Sequence, residues 1–395
     1  MNFKDEFERE LTKNILPFWM TKMQDHDSGG FYGEIDGHDR LTVAALKGGI
    51  LNARILWTFA SAARMLQSDE YLTVARKAND YIVEKFFDAE YGGTFWALQA
   101  DGRPADSKKQ IYSQAFFIYA LTEYHCATRD KRALERAIEL YKLIERYSFD
   151  PINNGYYEAF SRDWSLLDDV RLSDKDANEK KTMNTHLHIL EAYTHLARVW
   201  NDEKLRLQLR NLILLFLFKM IDSQTAHLNL FFDEVWSCKS TIYSYGHDIE
   251  CAWLLYEAAE TLGDQNLLVQ VRDVSLRMAQ AASEGLLPDG SLASETDYVA
   301  GHTNTYREWW PQAEGVVGFY HAYRLSGDAK WLDRSKKLWN YIREHLIDAN
   351  NGEWYWGVFP DGSIDTEKPK AGFWKCPYHN GRMCMELFKA SPVLR

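Results

Sequence analysis

The stretch that decides the fold is Tyr245-Gly246-His247-Asp248-Ile249-Glu250, followed by the apolar run Cys251-Ala252-Trp253-Leu254-Leu255-Tyr256. A polar first turn before an apolar run is typical of a buried helix. Residues three apart share a helix face, so we expect Glu250 to pair with His247 and to set the tautomer of its imidazole. Taken alone, a polar turn that only caps a helix is the simpler interpretation. The rest of the chain matters because it repeats this design.

Two series of short segments recur along the chain at intervals of about sixty to seventy residues, a period that is typical of repeat architectures. The first series is a polar break after an apolar helix, marked by Asp69, Asp130, Asp202, Asp264 and Asp328. The second series is an aromatic-glycine segment that lies between the polar breaks. It occurs six times, from Gly29-Gly30-Phe31-Tyr32-Gly33 to Asn351-Gly352-Glu353-Trp354-Tyr355-Trp356. The sequence therefore predicts six similar units.

Each unit contains two helical patterns. One is charged and amphipathic, which predicts a helix with one solvent-facing side: residues 3–20, 71–87, 131–147, 203–221, 264–282 and 330–346. The other is rich in small, aromatic and apolar residues, which predicts a helix that is covered all round: residues 47–66, 112–127, 183–200, 246–262, 312–325 and 378–387.

Alternating helices of two classes predict a closed double ring. The expected fold is an all-α (α/α)6 barrel, with short β-hairpins in the long loops at one rim and short turns at the other. No composition break or linker interrupts the repeat, so we expect one domain over residues 1–395. An open solenoid of helix pairs is the alternative.

The composition narrows the classes of function. A net charge of −11 disfavours nucleic acids and anionic membranes as partners. The five cysteines are scattered and form no Cys-x-x-Cys pair, which predicts free thiols in a reducing compartment. The charged N-terminus shows no signal-peptide pattern, and the longest apolar run, residues 212–218, is too short to span a bilayer. We therefore expect a cytoplasmic protein, and we expect it to be a monomer.

The inner helices begin at the long-loop rim, so their first turns should converge on one opening. Polar side chains at these positions come from every unit: Arg54, Tyr112, Gln114, Asn184, His188, His247, Glu250, Gln312, Glu314 and His379. The indoles of Trp309, Trp310 and Trp374 directly precede inner helices and are expected at the opening, where such rings can stack on sugars.

The other nine histidines are interpreted as structural or superficial. Four are expected to pack within helices: His125, His186, His195 and His321. Five are expected in loops or at the surface: His26, His38, His227, His302 and His345.

Three histidines in one pocket, His188, His247 and His379, allow two chemistries. They come from different units and form no His-x-x-x-His pair, which disfavours zinc. Two imidazoles on opposite sides of a small substrate can instead remove and return a proton at carbon. A glycosidase with Glu250 and Glu314 as paired carboxylates, and a sugar-binding scaffold without catalysis, are the further alternatives.

Four motifs resemble the N-acylglucosamine 2-epimerase superfamily. They are Met183-Asn184-Thr185-His186-Leu187-His188, Tyr245-Gly246-His247-Asp248-Ile249-Glu250, Trp309-Trp310-Pro311-Gln312-Ala313-Glu314 and Lys375-Cys376-Pro377-Tyr378-His379-Asn380-Gly381-Arg382. The resemblance covers essentially the whole chain. Within the superfamily, the tandem Trp309-Trp310 favours the enzymes that act on disaccharides over the N-acetylglucosamine branch. The monosaccharide aldose–ketose isomerases are the nearest rivals.

The resemblance implies the (α/α)6 fold and a specific reaction. That reaction is the reversible epimerisation at C2 of the reducing-end glucose of a β-1,4-linked disaccharide such as cellobiose, lactose or mannobiose. It proceeds through a cis-enediolate and needs no cofactor or metal. The resemblance implies that His188 assists ring opening and that His247 and His379 exchange the C2 proton. It also implies a set of substrate contacts: Arg54, Tyr112, Asp176, Asn184, Glu250, Trp309, Trp310, Glu314 and Trp374.

Overall fold

The computed structural model describes residues 3–389, and helices dominate this range. In chain order the α-helices are α1 (Phe3–Glu10), α2 (Leu16–Thr21), α3 (Gly49–Leu66), α4 (Asp69–Tyr81), α5 (Ile111–Thr128), α6 (Lys131–Tyr147), α7 (Met183–Ala197), α8 (Glu203–Leu215), α9 (Tyr245–Leu262), α10 (Gln265–Ala282), α11 (Trp309–Ser326), α12 (Ala329–Tyr341) and α13 (His379–Lys389). Single π-helical turns extend four of the amphipathic helices, at Leu11–Ile15, Ile82–Phe86, Phe216–Met220 and Ile342–Leu346, and a 3-10 turn, Ser283–Gly285, extends α10.

The helices form two concentric rings. In the inner ring α3, α5, α7, α9, α11 and α13 each pack against the next, and α13 packs back on α3. In the outer ring α4, α6, α8, α10 and α12 cover the inner helices, and α1 packs on α13. The (α/α)6 barrel is therefore confirmed, and the contact between α13 and α3 excludes the open solenoid.

Burial separates the two helix classes as the patterns predicted. In α3 every residue from Gly49 to Ala63 is buried, because neighbours surround the helix on all sides. In α6 the buried residues form one stripe, spaced three or four apart: Ala133, Ala137, Leu140, Tyr141 and Ile144. Among residues 3–389, none of the helices combines the length and the apolar character that crossing a bilayer requires.

The short turns lie at the rim where inner helices end. Four inner helices end at a residue with a left-handed backbone, Gln67, Arg129, Gly263 or Gly327. The next outer helix then begins with a side-chain cap, in which a carboxylate or hydroxyl oxygen accepts a backbone N–H. The capping residues are Ser68, Asp130, Asp202, Asp264 and Asp328. In the first unit Ser68 is the cap, and Asp69, which marks the polar break in the sequence, is the first residue of α4.

At the opposite rim lie the long loops, and their short strands pair within each unit. The strands are β1 (Lys47–Gly48), β2 (Ala97–Leu98), β3 (Pro104–Asp106), β4 (Lys109–Gln110), β5 (Ala159–Phe160), β6 (Lys181–Thr182), β7 (Phe231–Phe232), β8 (Ile242–Ser244), β9 (Glu295–Asp297), β10 (His302–Asn304), β11 (Arg307–Glu308) and β12 (Gly357–Val358). The strand before an inner helix pairs antiparallel with the strand after the outer helix: β1–β2, β4–β5, β6–β7, β8–β9 and β11–β12. The predicted hairpins within the long loops are present as β2–β3 and β9–β10.

Buried ion pairs anchor these loops. Asp88 accepts the N–H groups of Glu90 and Tyr91 through one oxygen and Lys109 Nζ at 2.9 Å through the other. Lys109 begins the strand that leads into α5, so the pair ties the loop to the start of that helix. The same pairing recurs as Lys47–Asp25 at 2.6 Å, Lys181–Asp150 at 2.7 Å and Lys370–Asp348 at 2.5 Å. In the fourth unit Tyr243 takes the lysine position, and the His227 ring stacks on it at 3.9 Å.

Candidate active site

Residues at the same position in successive inner helices line the barrel interior at one depth. The sixth residues of α3, α5, α7, α9 and α11 are Arg54, Phe116, His188, Glu250 and Glu314. Because the units begin at equivalent strands, the same helix position reaches the same depth. The second residues lie one turn nearer the rim on the same helix face, and they include Tyr112, Asn184 and Trp310.

His188 lies on this level with its imidazole held by a carboxylate. Its Nδ1 is 2.9 Å from Glu191 Oε2, and its ring packs on Tyr112 and Phe116 with centroids 4.9 and 4.7 Å away. Burial lowers the pKa of His188 more than Glu191 raises it, so the ring is neutral. An ionised carboxylate can only accept a hydrogen bond, so Nδ1 of His188 carries the hydrogen and Nε2 is the free base.

His379 has the same arrangement on the opposite side of the inner ring, since α13 lies three helices away from α7. Its Nδ1 is 2.7 Å from Glu314 Oε1. Burial lowers the pKa of His379 to about 3, against the opposing effect of Glu314. His379 is therefore also a neutral imidazole whose Nε2 is available to a substrate.

His247 differs because its Nδ1 meets a neutral group, Ser244 Oγ, at 2.8 Å. Burial, with smaller contributions from the nearby His188 and His379, lowers its pKa to about 3. The indole of Trp310 contacts both proton-transfer candidates, with its ring centroid 4.7 Å from that of His247 and 5.7 Å from that of His379. The predicted meeting of imidazoles from distant units is thus present in the structure.

Arg54 and Asn184 carry polar atoms that no protein group satisfies. Arg54 is 3% exposed, and its guanidinium donates to Tyr112 Oη at 2.7 Å and to the Trp374 carbonyl oxygen at 3.4 Å. Arg54 Nε and Asn184 Oδ1 are buried without a hydrogen-bond partner among the described residues. Buried polar atoms are rarely left unpaired. Arg54 lies at the same level of the inner helices as His188, and Asn184 lies one turn nearer the rim, which makes their side chains candidates for contact with a polar ligand. The Trp374 ring lies 6.2 Å from that of Tyr112, beside this group.

Comparisons with known proteins agree with this geometry. The family model described as N-acylglucosamine 2-epimerase (GlcNAc 2-epimerase) matches residues 30–381. The chain is 52% identical to the cellobiose 2-epimerase of Bacteroides fragilis, over 97% of this chain and 98% of that one. It is 42% identical to the cellobiose 2-epimerase of Ruminococcus albus, over 97% of each chain. The solved cellobiose 2-epimerase from Bacillus thermoamylovorans superposes with a TM-score of 0.94 at 42% identity, over 98% of this chain and 99% of that one.

The chain belongs to the N-acylglucosamine 2-epimerase family. The resemblance drawn from the four motifs is thereby confirmed, and with it the expectation of an isomerase.

In this epimerase, the predicted pairing of Glu250 with His247 is wrong. Glu250 Oε1 accepts from Arg382 Nη2 at 2.7 Å and lies 4.0 Å from His379 Nδ1. A charged guanidinium binds a carboxylate more strongly than a neutral imidazole does, so Arg382 takes Glu250 and leaves His247 to Ser244.

Three further positions differ from the sequence-based interpretation. Trp309 is only 3% exposed, and its ring packs on Trp356 at 4.6 Å, within the rim and not at the opening. His227 lies in a loop, as one of the two expected alternatives, and is only 2% exposed, because its Nδ1 binds Asp248 Oδ2 at 2.7 Å. Gln114 and Gln312 were expected at the opening, but their amides bridge the backbone N–H and C=O of Thr94 and Leu292 respectively.

Asp176 lies in the long loop before β6 and is half-buried. Its carboxylate accepts from the backbone N–H and the hydroxyl of Ser173, and burial raises its pKa. The described residues show no direct contact between Asp176 and the three histidines, so its role toward a substrate stays a prediction.

Two residues of the epimerase site were missed in the sequence. Glu191 follows His188 by three residues, the same spacing that drew attention to Glu250, and would have been found by applying that rule to His188. Arg382 ends the fourth motif and lies between three carboxylates, those of Glu191, Glu250 and Glu314. No local pattern marks it, because its partners come from other helices.

The arrangement also bears on the zinc alternative. Ligand-type atoms of Glu250, Glu314 and His379 lie within 4.8 Å of one another. Arg382 Nη2 already donates to both carboxylates at 2.7 Å. A guanidinium there supplies the positive charge that a metal ion would bring, so the group is better described as an ion-pair network.

Proposed function

We propose that this protein is a cellobiose 2-epimerase, which interconverts the reducing-end glucose and mannose residues of β-1,4-linked disaccharides. The observation that carries the proposal is the placement of two neutral imidazoles, His247 and His379, against the single indole of Trp310. Full-length relatives that are 36–52% identical and bear this name support the choice of substrate.

The proposed reaction begins with ring opening of the reducing-end sugar, assisted by His188. One imidazole of the His247–His379 pair takes the C2 proton, and the electrons of that C–H bond move into the C1 carbonyl to give a cis-enediolate. Arg54 stabilises the negative oxygen. After rotation about C2–C3, the other imidazole, which takes up a proton from water as negative charge develops on the enediolate, delivers it to the opposite face of C2, and the first imidazole releases its proton to water. No net proton is consumed.

The remaining contacts are proposed to hold the sugar. Arg54 and Tyr112 bind near O1 and O2, and the unpaired Asn184 Oδ1 accepts a sugar hydroxyl. The exposed parts of Trp310 and Trp374 stack on sugar faces. We include the absence of a cofactor, a monomeric state and a cytoplasmic location in the proposal; turnover after exhaustive chelation and light scattering test the first two.

Incubation with cellobiose in heavy water, followed by NMR, tests the proposal. Deuterium at C2 together with glucosyl-mannose is the expected outcome. A 2-ketose product would instead identify an aldose–ketose isomerase, and free glucose would identify a hydrolase. Saturable binding without deuterium uptake would leave only the sugar-binding scaffold. Lactose and mannobiose in parallel rank the disaccharides.

A further inference from the structure

Arg382 is the most connected side chain beneath the histidines. It is 1% exposed, and its Nη2 donates to Glu250 Oε1 and to Glu314 Oε1, each at 2.7 Å. Its Nη1 donates to Glu191 Oε1 and contacts the Tyr378 hydroxyl. The guanidinium lies over the rings of Trp253 and Tyr378, 4.7 and 4.3 Å from their centroids. The two ring contacts and the hydrogen bonds of both Nη atoms fix its position, while its Nε has no hydrogen-bond partner among the described residues.

Arg382 binds three carboxylates, and two of them also hold an imidazole of the site. Glu191 uses one oxygen for Arg382 and the other for His188 Nδ1. Glu314 Oε1 serves both Arg382 and His379 Nδ1, while its Oε2 accepts from Trp253 Nε1 at 3.1 Å. His247, held by Ser244, stands outside this network. One arginine thus reaches two imidazoles through two different glutamates.

We propose that Arg382 is a positioning residue that holds His188 and His379 in the tautomer with a free Nε2 at the same time. This inference rests on the proposed function, in which those two imidazoles act on the sugar. The reason is electrostatic: three carboxylates in one buried space cannot all stay ionised without a cation among them. Removing the guanidinium forces protons onto the glutamates. A protonated carboxyl then donates to Nδ1, the imidazole hydrogen moves to Nε2, and the free base is lost.

The protonation states of the glutamates agree with this role. Arg382 is the largest influence that lowers the pKa of Glu314 to about 2 and that of Glu191 to about 2, against their burial. Burial and the charge of Glu314 raise the pKa of Glu250 to about 8. The two glutamates that touch histidines therefore stay ionised, because Arg382 stabilises their negative charge. Arg54 adds positive charge on the histidine side, and the Tyr378 hydroxyl donates to Glu191.

The test compares Arg382→Met with Arg382→Lys in protein labelled with ¹⁵N-histidine. Long-range ¹H–¹⁵N spectra report which ring nitrogen carries the hydrogen, and single His→Gln variants assign the signals. We expect Nδ1–H at His188 and His379 in the parent, and Nε2–H at both in Arg382→Met. Arg382→Lys keeps the positive charge but has one ammonium in place of two Nη donors. It should therefore restore Nδ1–H in part at one of the two histidines. The acidic limb of the turnover profile should move up by roughly one pH unit in Arg382→Met, because the carboxylates then ionise later.

Arg64→Met is the matched control, because Arg64 binds the buried Glu123 at 2.8 Å at the opposite rim. It should leave both tautomers and the pH profile of turnover unchanged. If Arg382→Met does not fold, Glu191→Gln breaks one arm of the network and should alter the tautomer of His188 alone. Unchanged Nδ1–H signals in Arg382→Met, or in Glu191→Gln, would overturn the inference.

The tautomer measurement is independent of the reaction. A parent protein that shows the expected tautomers but takes up no deuterium from heavy water with cellobiose contradicts the proposed function alone. Normal turnover by the parent, together with unaltered tautomers in the variants, contradicts the role of Arg382 alone.

Discussion

Two buried clusters of histidine, glutamate and arginine lie at opposite rims of the barrel, and their imidazoles behave in opposite ways. At the long-loop rim His379 binds Glu314, which binds Arg382, and the pKa of His379 falls to about 3. At the short-turn rim His195 lies 2.8 Å from Glu123, which binds Arg64. There the pKa of His195 rises to about 9.

Burial lowers the pKa of both imidazoles, and the difference lies in the groups that face each ring. At His379 the guanidiniums of Arg54 and Arg382 add to the effect of burial and oppose that of Glu314. At the other rim the side chain of Arg64 is 44% exposed, so water screens its charge, while Glu123 and Cys126 favour the imidazolium. The same three residue types therefore make a neutral base in one place and a structural cation in the other. The hydrogen-bond partners and the charges around each buried imidazole together set its protonation state.

The largest expected effect is on turnover, which should depend on the cluster at the long-loop rim and not on the cluster at the short-turn rim. His379→Gln should lower the rate of C2 deuterium uptake by about 10²–10⁴-fold, the usual contribution of a positioned acid or base. His195→Gln should leave that rate within about twofold of the parent. Deuterium uptake from cellobiose measures both, with far-UV circular dichroism to establish that each variant is folded. Comparable losses in both variants would show that the proposed division of roles is wrong.

The next effect separates them by the pH dependence of stability. Folding raises the pKa of His195 from an ordinary value near 6.5 to about 9. Its contribution is therefore complete below about pH 6.5 and is lost as the pH rises through 9. Folding lowers the pKa of His379, so its neutral form contributes above about pH 6.5 and that contribution is lost as the pH falls toward 3.

Urea unfolding of the parent and of His195→Gln at pH 6 and pH 10 measures this. The difference in the free energy of unfolding should be on the order of 1–3 kcal/mol at pH 6 and should shrink at pH 10. The same comparison with His379→Gln should show no such loss on going to pH 10. A constant difference for His195→Gln across the range would contradict the imidazolium assignment.

The smallest effect concerns the one site histidine with a neutral partner. Ser244→Ala removes a neutral hydrogen bond to His247 Nδ1, worth about 0.5–1.5 kcal/mol. Turnover should therefore fall by no more than about tenfold. Ser113→Ala is a matched control, because the buried Ser113 Oγ has no hydrogen-bond partner among the described residues. Equal losses from the two substitutions would mean that Ser244 does not orient the imidazole.

The helices and the meeting of the histidines could be predicted because both follow from periodicity. A repeat of alternating buried and amphipathic helices admits few closed arrangements, and because every inner helix begins at the same rim, the first turns carry His188, His247 and His379 to one opening. The pairing of Glu250 could not be predicted in the same way. Its partner Arg382 lies 132 positions away in the chain. The rule of residues three apart held for His188 with Glu191 and failed for His247 with Glu250, since local spacing does not reveal a competing charge.

The buried histidines outside the site make the same point. The sequence placed His227 in a loop or at the surface, and it lies in a loop but is buried. Its ring is bound to Asp248 of α9 and stacked on Tyr243 of β8. Long loops that pack on one another bury side chains without leaving a periodic trace.

The common depth of the sixth inner-helix residues makes the interior modular. Five helices each present one side chain to that level, and four of the five are charged or can ionise, while Phe116 is apolar. A substitution at Phe116 would change the lining without touching a helix cap or a loop anchor. The barrel can in this way exchange one functional group at a time, so new sugar preferences can arise on an unaltered scaffold.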